Sequence, residues 1–205
     1  MEICKAMTNT LAFWKGFIAN PRRVSAIAPS GSALAELITR EVAVHHAPVI
    51  ELGPGTGVFT HRLIERGIPE NRLALIESGS EFADQLAGRF PRATVLNVDA
   101  GRLGRIELFG GVAAGAVVSG LPLLSMPVKS VLRILFGAFA HLHPRGAFYQ
   151  FTYGPHCPVP RLVLERLGLR ASRIGWVFWN LPPASVYRIT RRAHSFDIRT
   201  RHLKP

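Results

Sequence analysis

The chain has little cysteine: Cys4 and Cys157 are the only two in 205 residues. They are far apart and lack metal-type spacing, so neither a disulfide framework nor a metal site is expected, and a reducing cytoplasm is the natural compartment. Acidic residues are also few. Thirteen Asp and Glu stand against 25 Lys and Arg, a formal net charge of +12. Such an excess points to a polyanionic partner, nucleic acid or an acidic membrane surface, without choosing between them. The N-terminal MEICKAMTNTLAFWKGFIANPRR lacks the long apolar run of a secretory signal, because Asn9, Thr10 and Lys15 interrupt it, and it is expected to be retained. Charge is absent from Leu108 to Val128, a membrane-spanning length, but glycines together with Pro122 and Pro127 make a buried strand and loop the expected structure there. Repeats, low-complexity segments and linkers are absent as well, which leaves one main domain.

What is present is an alternation. Apolar runs at 48–52, 72–77, 93–99, 114–120 and 146–154 read as strands, and amphipathic stretches at 58–67, 81–90, 128–142 and 159–168 read as helices. This order predicts an α/β doubly wound, Rossmann-like sheet, mostly parallel. Two further β-rich stretches, 171–179 and 184–192, flank Asn180–Pro183 and predict an antiparallel C-terminal edge. Residues 1–45 are expected to form an N-terminal helical extension and 46–205 the catalytic domain.

The first strand runs into IELGPGTG, with Glu51, Gly53, Gly55 and Gly57 in the pattern E-x-G-x-G-x-G. Glycines at the first turn of such a sheet let backbone approach a ligand at the switch point. No Lys-Ser/Thr pair follows, so this is no phosphate-binding P-loop, and Val58 spoils the dinucleotide fingerprint. Glu77, at the end of the second strand and about 20 residues beyond the last glycine, is placed to accept hydrogen bonds from both hydroxyls of a ribose. Asp99, ending the third strand, is placed to accept one from an adenine amino group.

ELGPGTG, LALIE and NVDA together resemble the class I S-adenosylmethionine-dependent methyltransferases. VIELGPGTGVFT resembles in particular the ribosomal RNA adenine dimethyltransferases and the bacterial phospholipid N-methyltransferases. The resemblance implies S-adenosylmethionine as cofactor, S-adenosylhomocysteine as product, and a cofactor site at Glu51, Gly53, Gly55, Thr56, Gly57, Glu77, Ser78, Asp99, Ala100 and Ser119.

The loop after the fourth strand separates the two families. Adenine dimethyltransferases carry an Asn-Leu-Pro-aromatic motif there to hold the base. This chain has SGLPLLSMP, in which Gly120 replaces the Asn and Leu123 the aromatic residue, while Leu121 and Pro122 remain. With SAIAPSG and NLPPASVYR, this segment resembles the phospholipid N-methyltransferases. The resemblance implies methyl transfer to the headgroup amine of phosphatidylethanolamine and its mono- and dimethyl derivatives, toward phosphatidylcholine.

Gly120 and Leu121 are then expected at the reacting centre, with Tyr153 facing the headgroup nitrogen through its ring and hydroxyl. Lys129 and Arg188 are candidates for the headgroup phosphate. The helical stretch around Trp14 and Phe17, followed by Arg22 and Arg23, is expected to lie on an anionic phospholipid membrane, peripherally at the inner face of the plasma membrane. No nucleic acid is expected as partner. Two alternatives stand beside this reading: an RNA adenine methyltransferase, and an inactive protein that binds cofactor or membrane.

Overall fold

Val49–Leu52 (β1) and Leu73–Glu77 (β2) are short apolar runs in which every residue, including Glu51 and Glu77, is buried. Such runs suit central parallel strands covered on both faces. The computed structural model describes residues 28–178 and 183–192. Within them the chain forms Ala28–Thr39 (α1), β1, Val58–Glu65 (α2), β2, Ser80–Arg89 (α3), Thr94–Asn97 (β3), Ala114–Ser119 (β4), Val128–His141 (α4), Leu142–Tyr153 (β5), Arg161–Arg166 (α5), Leu169–Val177 (β6) and Ala184–Arg191 (β7). The seven strands are ordered β3-β2-β1-β4-β5-β7-β6. β1 to β5 pair in parallel, and β7 pairs antiparallel with both β5 and β6. The fold class is the expected one, with the antiparallel strand inserted one place in from the edge.

Two apolar layers sandwich the sheet. On one face α4 contributes Val131, Ile134, Leu135, Ala138 and Phe139, spaced by three and four so that they share one side of the helix and meet Val117 and Phe148 of the sheet. On the other face α1 brings Leu34, Leu37 and Ile38 against Val118, Tyr149 and Val186. The part of the N-terminal extension that lies within the described residues is therefore built into the domain core.

Arg66 secures that helix. Its guanidinium donates to the Val42 carbonyl at 2.9 Å, to Glu36 at 3.3 Å and to the Arg40 carbonyl, which ties α2 to the chain leaving α1. Between β3 and β4 the connection holds 3-10 turns at Ala100–Arg105 and Phe109–Gly111 in place of an α-helix. The uncharged Leu108–Val128 stretch folds as β4 and the loop after it, and among the described residues no helix is long and apolar enough to cross a membrane.

Candidate active site

The strand order reverses direction at β1, between β2 and β4, and there the carboxyl ends open a crevice. The Gly53–Gly57 turn lies at its base. Gly55 has φ +53°, and a Cβ built on it meets no atom within 4 Å, so this residue faces open space in a conformation that disfavours side chains. The other two glycines of the pattern face protein. A Cβ on Gly53 would lie 2.7 Å from Leu121 Cδ2, and one on Gly57 would lie 2.7 Å from the Phe90 ring.

Glu77 stands beside the open position. Its Oε2 accepts from the Gly55 amide at 3.1 Å and its Oε1 from the Gly79 amide at 2.9 Å, so the carboxylate bridges the ends of β1 and β2. Ser78 and Thr56 are exposed, whereas Ala100 is buried. Asp99 is exposed, and its Oδ1 accepts from the Gly101 amide at 2.7 Å, capping the 3-10 turn that follows β3.

Glu51 differs from both acids. It is fully buried, its Oε2 accepts from the Thr60 hydroxyl at 2.7 Å, and its Oε1 has no hydrogen-bond partner among the described residues. Burial pushes its pKa up to about 8, so at neutral pH the carboxyl mostly retains its proton. A buried polar oxygen without a partner carries a desolvation cost that a ligand hydrogen-bonded to it would remove. The open Gly55 position, the acid at the end of β2 and this orphaned oxygen together fit a nucleoside ligand that carries an ammonium group.

The loop after β4 forms the opposite wall. Ser119 is buried, and its Oγ accepts from the Leu121 amide at 3.3 Å. The Gly120 amide donates to the Leu52 carbonyl at 2.8 Å, and a Cβ on Gly120 would come within 2.6 Å of the Gly53 carbonyl oxygen. The acceptor loop is thus pressed against the glycine turn, and no side chain fits at position 120 without moving backbone.

Gln150, which sequence reasoning missed, supports this loop from β5. It is fully buried, and its Nε2 donates to the Leu121 carbonyl at 2.9 Å and to the Phe151 carbonyl at 2.7 Å. A lone polar residue inside the apolar GAFYQF run was the signal available.

Pro122, Leu124, Phe151 and Tyr153 line a small recess beside the loop. The Tyr153 ring packs edge-to-face on Phe151 with centroids 5.7 Å apart, and burial raises the pKa of its hydroxyl, which stays neutral. Lys129 is exposed in the first turn of α4.

Arg188 is not brought to the recess. It sits within β7 opposite Tyr149, four residues back from the carboxyl edge, and its guanidinium donates to Glu41 Oε2 at 3.1 Å, an oxygen that also accepts from the Tyr149 hydroxyl at 3.3 Å. The side chain is turned to the end of α1, where the Glu41 carboxylate holds it. Trp14, Phe17, Arg22 and Arg23 lie outside the described residues. A wider cleft of about 420 Å³ lies near Leu108 and His141, at the amino end of the parallel strands, away from all of these groups.

A sheet of this order, with a glycine turn after β1 and a loop pressed against it after β4, has the architecture of the Rossmann-like methyltransferases. Solved structures share the fold. A TehB-like S-adenosylmethionine-dependent methyltransferase from Corynebacterium glutamicum superposes with a TM-score of 0.59 at 16% identity, covering 92% of this chain and 99% of that one. The glycopeptide N-methyltransferase MtfA, in complex with S-adenosylmethionine, gives 0.59 at 13% identity over 79% of this chain and 94% of its own. No family model matches the chain. Among curated proteins, the ornithine lipid N-methyltransferase of Singulisphaera acidiphila is 33% identical over 190 residues, which span 88% of this chain and 95% of that protein. The chain belongs to this family of lipid N-methyltransferases.

Proposed function

We propose that this protein transfers methyl groups from S-adenosylmethionine to the headgroup amine of phosphatidylethanolamine at a membrane surface. The observation that carries the reading is the contact at Gly120. With a Cβ there only 2.6 Å from the Gly53 carbonyl oxygen, this backbone has no room for the Asn that grips an adenine amine. The remaining wall is apolar and aromatic, which suits an aliphatic amine rather than a flat conjugated base.

When bound, the cofactor supplies an electrophilic methyl group on a sulfonium. Gly55 would leave room for it, Glu77 would accept from the ribose hydroxyls, Asp99 would meet the adenine, and Glu51 would take the ammonium of the methionine portion. Ser119 and Gln150 hold the Gly120–Leu121 backbone in place, and Tyr153 offers its ring to a nitrogen that becomes a fixed cation as methyl groups accumulate. Among the described residues that line the recess there is no carboxylate or imidazole, and water is the proposed acceptor of the proton of the entering ammonium. Alignment and exclusion of water then provide most of the rate.

A second acceptor is favoured by one finding: the relative from Singulisphaera acidiphila is named for ornithine lipid. The test is transfer of labelled methyl to vesicles containing either phosphatidylethanolamine or ornithine lipid, with ribosomal RNA in parallel and products resolved by mass. Methylated phosphatidylethanolamine is the expected result. Label in ornithine lipid alone would move the acceptor assignment, and label in RNA alone would overturn the lipid reading.

A further inference from the structure

The charge of this protein is divided between the two halves of its sheet. From residue 28 to residue 107, which builds the cofactor half, ten acidic residues stand against eight basic ones. From residue 108 to residue 192, which builds β4 to β7 and their helices, there is one acid, Glu165, against ten Lys and Arg. The net excess of base within the described residues therefore belongs wholly to the acceptor half.

Four of the exposed large apolar side chains lie on the same half, on the segments that follow the carboxyl ends of β4, β5 and β6. Leu124 and Val128 flank the loop after β4 and are 58% and 55% exposed. Leu162, in the first turn of α5 beyond the β5 end, is 77% exposed, and Phe178, directly after β6, is 72% exposed. β6 runs parallel to β5, and the pairings of Tyr153 and Val177 with Ala184 place the ends of both strands at one level. Phe178 stacks on Trp176, and the Arg173 guanidinium lies 4.5 Å from the Trp176 ring. Lys129, next to Val128 in the first turn of α4, is exposed.

We propose that the acceptor-half carboxyl edge, carrying Val128, Leu162 and Phe178, is the surface that docks on an anionic lipid bilayer. The inference rests on the lipid reading above and adds the orientation. Apolar tips enter the interface, and the cations beside them, Lys129 and Arg173, meet lipid phosphates while their alkyl stems stay among the acyl chains. The acidic cofactor half faces away from the negative surface, so electrostatics favours one way up. A headgroup then reaches the recess beside Tyr153 without the lipid leaving the bilayer. An RNA surface would share the charge preference but would have no use for three exposed aliphatic or aromatic tips.

The experiment uses the full chain with Val128→Glu, Leu162→Glu and Phe178→Glu combined, and a control carrying Val112→Glu and Phe136→Glu, exposed apolar positions elsewhere on the molecule. Two quantities are read. One is partitioning onto phosphatidylethanolamine vesicles containing phosphatidylglycerol, and the other is methyl transfer to those vesicles and to a short-chain phosphatidylethanolamine dispersed as monomers. The edge variant is expected to lose about tenfold or more in partitioning and in vesicle methylation while methylating the monomeric lipid as the unsubstituted protein does. The control should keep both activities. Unchanged partitioning of the edge variant, or its loss in the control alone, would overturn the proposal. Failure of the unsubstituted protein to methylate even monomeric lipid would instead overturn the function on which it rests.

Discussion

Two residues at the crevice have opposite reasons to resist substitution. Gly55 faces open space at φ +53°, so an alanine there costs about 1–2 kcal/mol in backbone strain and fills the cradle. Gly55→Ala should lower cofactor affinity more than tenfold, by a rough steric reckoning, with only a modest fall in melting temperature, as isothermal titration and thermal melting would establish. Gly120→Asn meets backbone instead. It should melt several degrees lower, at a cost of about 1–3 kcal/mol, and gain no adenine methylation in an RNA assay.

Glu51 adds a pH dependence. Its folded-state pKa of about 8 lies above the ordinary 4.5, so its contribution to stability is fully present below about 4.5 and is lost as pH rises through about 8. Cofactor-free protein should therefore lose stability across that range, and Glu51→Gln should flatten the slope. If Glu51 takes the cofactor's ammonium, binding will expel its proton near neutrality, and buffers of different ionisation enthalpy will reveal that release in calorimetry.

At the scale of elements, the alternation of strand and helix was legible because each short apolar run is bounded by turn residues and each helix shows a single apolar face. The glycine turn and its two downstream acids were legible for the same local reason: position along a parallel sheet dictates which residues reach the carboxyl edge. What escaped is what depends on distant pairing. Arg188 reads as a free basic residue until β7 is set beside β5 and Glu41 is found waiting at the end of α1. The role of Gln150 likewise requires knowing that β5 runs beneath the Leu121 carbonyl. The inward packing of α1 depends on a surface made by β5 and β7, more than a hundred residues away. Its tie to α2 can be tested at Arg66. Arg66→Ala removes donors to two backbone carbonyls and to Glu36, and should destabilise the protein by about 1–3 kcal/mol, with faster amide exchange concentrated between Leu34 and Val42.

At the scale of the whole molecule, both faces of the sheet are covered by helices that begin at α1. A chain shortened to begin at Val44 loses Leu34, Leu37, Ile38 and Val42 from the core. Each of those side chains contributes about 1.5–3 kcal/mol of burial, and this truncation should not give a cooperative thermal transition. The contact between the glycine turn and the loop after β4 also reaches beyond its two residues. Leu121 occupies the space that a side chain at position 53 would need, and Gly120 rests on the Gly53 carbonyl, so neither wall of the crevice can shift without the other. Donor and acceptor affinities are therefore linked quantities: whatever free energy a seated headgroup lends to cofactor binding, the cofactor must return in equal measure to the headgroup.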